Sequence, residues 1–126
     1  MEAFNIFKYV KPEEAEIPTD SRAITIPNGI TEVRQLLTVL SKQLNFPTYF
    51  GFNWSALSDC LRDLHWINEH NVVIIHGDLP ALNGPDLENY LDVLNECVRD
   101  WQPGQDHQLI VIFPETCREK IGRIMP

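Results

Sequence analysis

Two hydrophobic patterns alternate along this 126-residue chain. The first is the short apolar run, seen as RAITI at 22–26, NVVIIH at 71–76 and LIVIF at 109–113. Runs of this kind, closed by turn residues, predict strands. The second is a stripe at helical spacing. Val33, Leu36, Leu37, Leu40 and Leu44 make one such face. Ala56, Leu57, Cys60, Leu61 and Leu64 make the next, and Leu87, Tyr90, Leu91, Leu94, Val98 and Trp101 the last. The order is therefore strand, two helices, strand, long helix, strand. NVVIIH contains four consecutive β-branched residues. Such a run suits a parallel strand covered on both faces. Right-handed crossovers then give an α/β fold: a small parallel sheet of about three strands, with helices packed against it in two layers.

Local signals set the boundaries. Pro27, Asn28 and Gly29 mark a turn, and Thr31 is a candidate cap for the first helix, with Glu32 in its first turn. Pro47 lacks an amide hydrogen and pushes Phe46 out of helical geometry, so that helix stops before it. Gly51 can supply a positive φ for the bend that follows. Asn53 is placed to cap the second helix through the amide of Ala56, with Phe52 and Leu57 at staple spacing. A turn of helix is expected near 79–82, Pro85 suits the first position of the long helix, and Pro103 with Gly104 ends it. Before the first strand, Phe4, Ile6, Phe7, Tyr9 and Val10 could add a strand, which KPEEAEIPTD then breaks. Residues 1–20 read as an extension, either docked on the sheet edge or mobile, and the tail PETCREKIGRIMP has no clear place. With no repeat or linker, residues 1–126 form a single domain.

Charge narrows the function classes. A net charge of −8 argues against nucleic acid as a direct ligand, because phosphate affinity comes from clustered Lys and Arg. An acidic protein can instead compete with nucleic acid for a basic groove. The first residues lack a basic leader with a long apolar run, and no stretch approaches a membrane span, so a cytoplasmic location is expected. Three cysteines, an odd number without framework spacing, read as buried thiols. His65, His70, His76 and His107 lack ligand spacing, and no nucleophile motif, zinc motif or phosphate loop occurs. No enzyme, metal or cofactor is expected.

The polar side of the second helix carries Ser55, Asp59 and Asp63 at i, i+4 and i+8, with Ser58 and Arg62 alongside. The long helix repeats this with Asp92, Glu96 and Asp100. Like charges at this spacing cost roughly 0.2–0.5 kcal/mol per pair, so neither row helps its own helix form. Each is either a solvated face or a surface meant for another molecule. The segment PTYFGFNWSALSDCL at 47–61 resembles the barstar family, in which an aromatic turn P-x-Y-[YF]-G-x-N leads into an A-L-x-D-C-L helix. The resemblance implies an intracellular inhibitor or immunity protein that covers the active site of a ribonuclease. On it, Asp59 matches the acid that enters the nuclease's phosphate-binding centre, and Tyr49 a contacting aromatic. Ser55 stands where the family has a second contacting aspartate and Ser58 where it has a tryptophan, while Trp54 is a new aromatic beside them. Glu96 falls near a peripheral contacting glutamate, and Asp63 continues the acidic row. The expected partner is a basic ribonuclease or nuclease-like toxin. The departures at Ser55 and Ser58 favour the alternative, an adaptor or immunity protein on the same scaffold with a partner unlike barnase.

Overall fold

The structure is a computed structural model that describes residues 6–125, the side chain of Pro12 excepted. Four parallel strands lie in the order β1-β4-β3-β2: β1 Lys8–Val10, β2 Ser21–Ile26, β3 Asn71–His76 and β4 Gln108–Pro114. The helices are α1 Val33–Gln43, α2 Trp54–Asp63, α3 Gly84–Asp100 and α4 Arg118–Ile124. The expected three strands are present, and the extension supplies a fourth. β1 docks on the edge of β4, fastened by Phe7 against Phe113, whose ring centroids are 5.3 Å apart, and by the Arg118 guanidinium 4.7 Å over the Tyr9 ring. Phe4, counted in the same run, lies outside the described residues. The tail finds its place as α4, with Ile121 buried in the helix-side core.

Alternation along the strands sorts two faces. Ile24, Ile26, Val72, Ile74, Leu109, Val111 and Phe113 meet the leucines of α1, α2 and α3 in the main core. Val73, Ile110 and Ile112 point the other way and are also buried. β3 is covered on both sides, as its composition implies, but the second cover is not helical. Since β1 and β2 occupy opposite edges of a parallel sheet, residues 11–20 must cross behind β4 and β3 from the carboxyl to the amino end. Ala15 borders one recess with Ile75 and Ile112 on this path. The far end is tied down where the Asn71 side-chain amide donates to the Thr19 carbonyl (3.1 Å) and Ser21 Oγ to the Pro18 carbonyl (2.6 Å). Full burial of a valine or isoleucine contributes about 1.5–3 kcal/mol, so this strap matters to the fold.

Several boundaries differ from the expected ones. Glu32, not Thr31, caps α1. Gln35 reaches back so that its Oε1 accepts from the amides of Glu32 (3.1 Å) and Thr31 (3.0 Å), drawing Thr31 outside the helix. α1 then ends well before Pro47, with Asn45 at φ 53°. Residues 79–82 form no helical turn; the Ala81 amide donates instead to the Ile30 carbonyl (2.8 Å). Asn83 caps α3 through the amide of Asp86 (2.9 Å), which leaves Gly84 at the first position and Pro85 at the second.

Two polar contacts fix the frame. At the outer edge of β2, the Gln43 side chain donates to the Thr25 carbonyl (3.0 Å) and accepts from the Thr25 amide (3.3 Å). Under α3, His76 Nδ1 donates to the Ile112 carbonyl (3.0 Å), so its Nε2 accepts from the Tyr90 hydroxyl (2.7 Å). Burial lowers the imidazole to about 4 and pushes the Tyr90 phenol up. Both groups are neutral near pH 7, and they seat the helix on the sheet.

Candidate protein-binding site

The turn before α2 sorts its aromatics by direction. Phe46 lies 4.9 Å from Phe50, Phe50 4.8 Å from Phe52, and Phe46 6.1 Å from Trp66, all between ring centroids. Trp66 Nε1 donates to the Leu44 carbonyl (2.8 Å) and ties this cluster to the end of α1. Tyr49 alone turns outward, 78% exposed. It does not cover the core.

The bend is made differently from the expected one. Gly51 is not at positive φ; Phe52 is, at 51°. A bulky residue there costs of order 1–3 kcal/mol, and its surroundings must hold it in place. Here Phe50 flanks the ring and the Arg34 guanidinium lies 4.1 Å above it. Gly51 serves close approach instead, since a Cβ would come 3.3 Å from Asn53 Nδ2, which donates to the Gly51 carbonyl. Asn53 Oδ1 accepts from the Ala56 amide (2.8 Å), the cap foreseen from the sequence. The loop that presents Tyr49 is thus rigid from both sides.

α2 buries Leu57, Cys60 and Leu61, followed by Leu64 at its cap. Ser55 and Asp59 are exposed on the opposite side. Among the described residues Asp59 has no ion pair and no side-chain hydrogen bond. Burial, and then the charges of Asp59 and Asp63, push the Cys60 thiol up to about 11, which leaves no reactive thiolate there. Asp63 differs from Asp59: its carboxylate is 2.9 Å from His65 Nδ1 and accepts from the His65 amide (3.3 Å).

The seam with α3 accounts for the rest. Trp54 is half-buried, 6.0 Å from Tyr90 ring to ring, and Ser58 Oγ faces Cys97 Sγ at 3.9 Å. Trp101 Nε1 donates to the Leu61 carbonyl (2.8 Å). Arg62 reaches across to Glu96 (3.4 Å) and Asp100 (3.0 Å). Tyr49, Ser55 and Asp59 therefore face solvent from one continuous stretch, and Trp54 borders them. Ser58 points into the seam, while Asp63 and Glu96 each have a partner in the chain. Sequence reasoning missed the role of Arg62. Its position beside the acidic row was visible, but its partners come from a helix 34 and 38 residues away.

Histidines apart in sequence do gather in part: His70 and His107 border one cleft at the amino ends of β3 and β4, and His65 and His107 border the next. No group of three or more His, Cys, Asp or Glu that could hold a metal occurs among the described residues. Nor, among them, is any helix long and apolar enough to cross a membrane.

An outward-facing acid and tyrosine thus sit together on a parallel α/β scaffold. The family model described as Barstar (barnase inhibitor) matches residues 23–114, and the chain belongs to that family. The family is one of non-enzymatic ribonuclease inhibitors, and this chain is accordingly not an enzyme. No curated protein and no solved structure matches the chain. β1, the whole strap and α4 fall outside the matched span.

Proposed function

We propose that this protein is a cytoplasmic, stoichiometric inhibitor that plugs the active site of a ribonuclease toxin with α2 and its preceding loop. The observation that carries the reading is Asp59, exposed on a helix packed against α3 and, among the described residues, without an ion pair. A ribonuclease cleft concentrates positive charge to bind phosphates. A carboxylate fixed at that point gains charge-assisted hydrogen bonds without first giving up an internal partner. Tyr49 adds aromatic area at low entropic cost, with Trp54 and Ser55 beside it. Asp63 and Glu96 contribute field more than contact, because His65 and Arg62 already engage them. The net charge of −8 steers a basic partner toward this face. A standard interface of about 1,600 Å² in total lies within reach of such a helix, its loop and a neighbouring helix.

Titrating the protein into a barnase-like ribonuclease and following RNA cleavage tests the proposal. Loss of activity at a one-to-one ratio supports it; unchanged cleavage at excess inhibitor refutes it for that nuclease class. One observation favours a second reading, an adaptor or immunity protein for a partner unlike barnase. Ser58 contacts Cys97 inside the seam, so this surface lacks the tryptophan of the family's interface, and Ser55 lacks its second acid. Affinity capture with the Asp59→Ala variant as control separates the readings: a basic nuclease supports inhibition, a non-nuclease the adaptor.

A further inference from the structure

Beyond the partner surface, the sheet has a second place where its topology creates an opening. β1 and β4 are adjacent and parallel, yet their exits diverge. After β1 the strap turns to the back face, whereas after β4 the chain turns to the helix side, where Cys117 and Ile121 are buried. Adjacent strands that part in this way leave a crevice at their carboxyl ends, the usual ligand position in open α/β sheets. A cavity of about 580 Å³ occupies that point, lined by Lys11 after β1, Gly77 and Asp78 after β3, Pro114 at the end of β4, and Glu115 and Thr116 after it. It shares Gly77 and Pro114 with an apolar recess of about 220 Å³ under Ala15, walled by Val10, Ile75 and Ile112. Lys11 and the Thr116 side chain lie outside the family span, so the family's inhibitory surface does not explain this opening.

The charges around the mouth select the ligand. Lys11 forms no ion pair with Asp78 or Glu115, although all three border one cavity. Asp78 is held in place through Oδ1, which accepts from the Leu79 amide (2.7 Å) and the Cys117 thiol (3.7 Å), leaving Oδ2 free. A cation and two acids that face a common space without pairing complement a molecule bearing both signs of charge. The adjoining recess asks for an apolar body. We infer that the crevice between β1 and β4 binds a small zwitterion with an apolar side chain, of the chemical class of a free aliphatic amino acid. Lys11 and Thr116 take its carboxylate, Asp78 and Glu115 its ammonium group, and the recess under Ala15 its side chain.

The test requires no ribonuclease, so its outcome is independent of the inhibitor reading. The full-length ¹⁵N-labelled protein is titrated with L-leucine up to about 10 mM, well above the weakest affinity that a specific small site would show. Saturable shifts at the amides of Gly77, Asp78, Glu115 and Thr116 are expected. Leucinamide, which lacks the carboxylate, and 4-methylpentanoate, which lacks the ammonium group, should each bind about tenfold more weakly. Lys11→Gln and Glu115→Gln alter exposed side chains, preserve the fold, and should weaken leucine binding by a similar factor. Absence of saturable shifts at these amides overturns the inference. So does saturation elsewhere, equal binding of 4-methylpentanoate, or indifference to both substitutions.

Discussion

α2 and α3 carry the same acidic spacing and put it to different uses. On α3, Glu96 and Asp100 share Arg62; on α2, Asp59 has no partner among the described residues. The repeat of acids at four-residue intervals shows only that a helix face meets solvent. Whether a charge remains open to another molecule depends on the neighbouring helix, and here Arg62 leans away from its own helix's acid toward α3. Had Arg62 folded onto Asp59, the same sequence would present a neutral face. Three further contacts hold the two helices in register: Trp54 with Tyr90, Ser58 with Cys97, and Trp101 with the Leu61 carbonyl.

The largest expected effect tests the frame on which this comparison rests. His76 takes a proton near pH 6.5 when unfolded but near 4 when folded. Below 6.5 the unfolded chain therefore binds more protons. The stabilisation is fully present above that value and falls by about 3 kcal/mol as pH drops to 4. Urea unfolding across this window should show the slope, and His76→Phe should remove it. A flat wild-type profile would mean that α3 is not seated through this histidine. Asp92, whose carboxyl is held up by burial and by Glu88, acts in the opposite sense and gains slightly on acidification.

Next comes the contrast itself. Asp59→Ala should weaken binding to the cognate ribonuclease by at least about 2 kcal/mol, roughly thirtyfold, with an unchanged melting temperature. Calorimetric titration of both proteins settles it. An unaltered dissociation constant would make Asp59 as passive as Glu96. Tyr49→Ala should cost about 1–2 kcal/mol of affinity while leaving folding within about 0.5 kcal/mol, since the residue is 78% exposed. Smallest is Glu96→Gln, with losses below about 1 kcal/mol in both folding and binding, because the pair with Arg62 is solvent-exposed. If Glu96→Gln instead equals Asp59→Ala, the partner displaces Arg62 on docking and the contrast between the helices disappears.

Much of α2 was legible in the sequence because its determinants are local. Asn53 and Ala56 are three residues apart, and Leu57, Cys60, Leu61 and Leu64 recur at the helical period. Other features depended on distant partners. The positive φ sits at Phe52 because the ring is clasped by Phe50 and Arg34, which no glycine preference reveals. A helical turn was expected near 79–82, but the Ala81 amide bonds to Ile30, about fifty residues away, instead of within a turn. The short β1 became a strand only through Phe113 and Arg118, both more than a hundred residues away. For the candidate site, spacing marked the acidic row that contains Asp59, and the resemblance to the barstar family singled out Asp59 and Tyr49. Spacing alone could not distinguish Asp59 from Asp63 and Glu96, since only packing shows which acids are engaged.

The glutamine at the rim of β2 bears on how such a protein tolerates abundance. At high concentration, copies with a bare strand at the border of a sheet invite ladder growth from one molecule to the next. By filling both main-chain pairing positions of Thr25 with a side-chain amide, Gln43 removes a docking point for a neighbour's strand at no expense to the acidic surface.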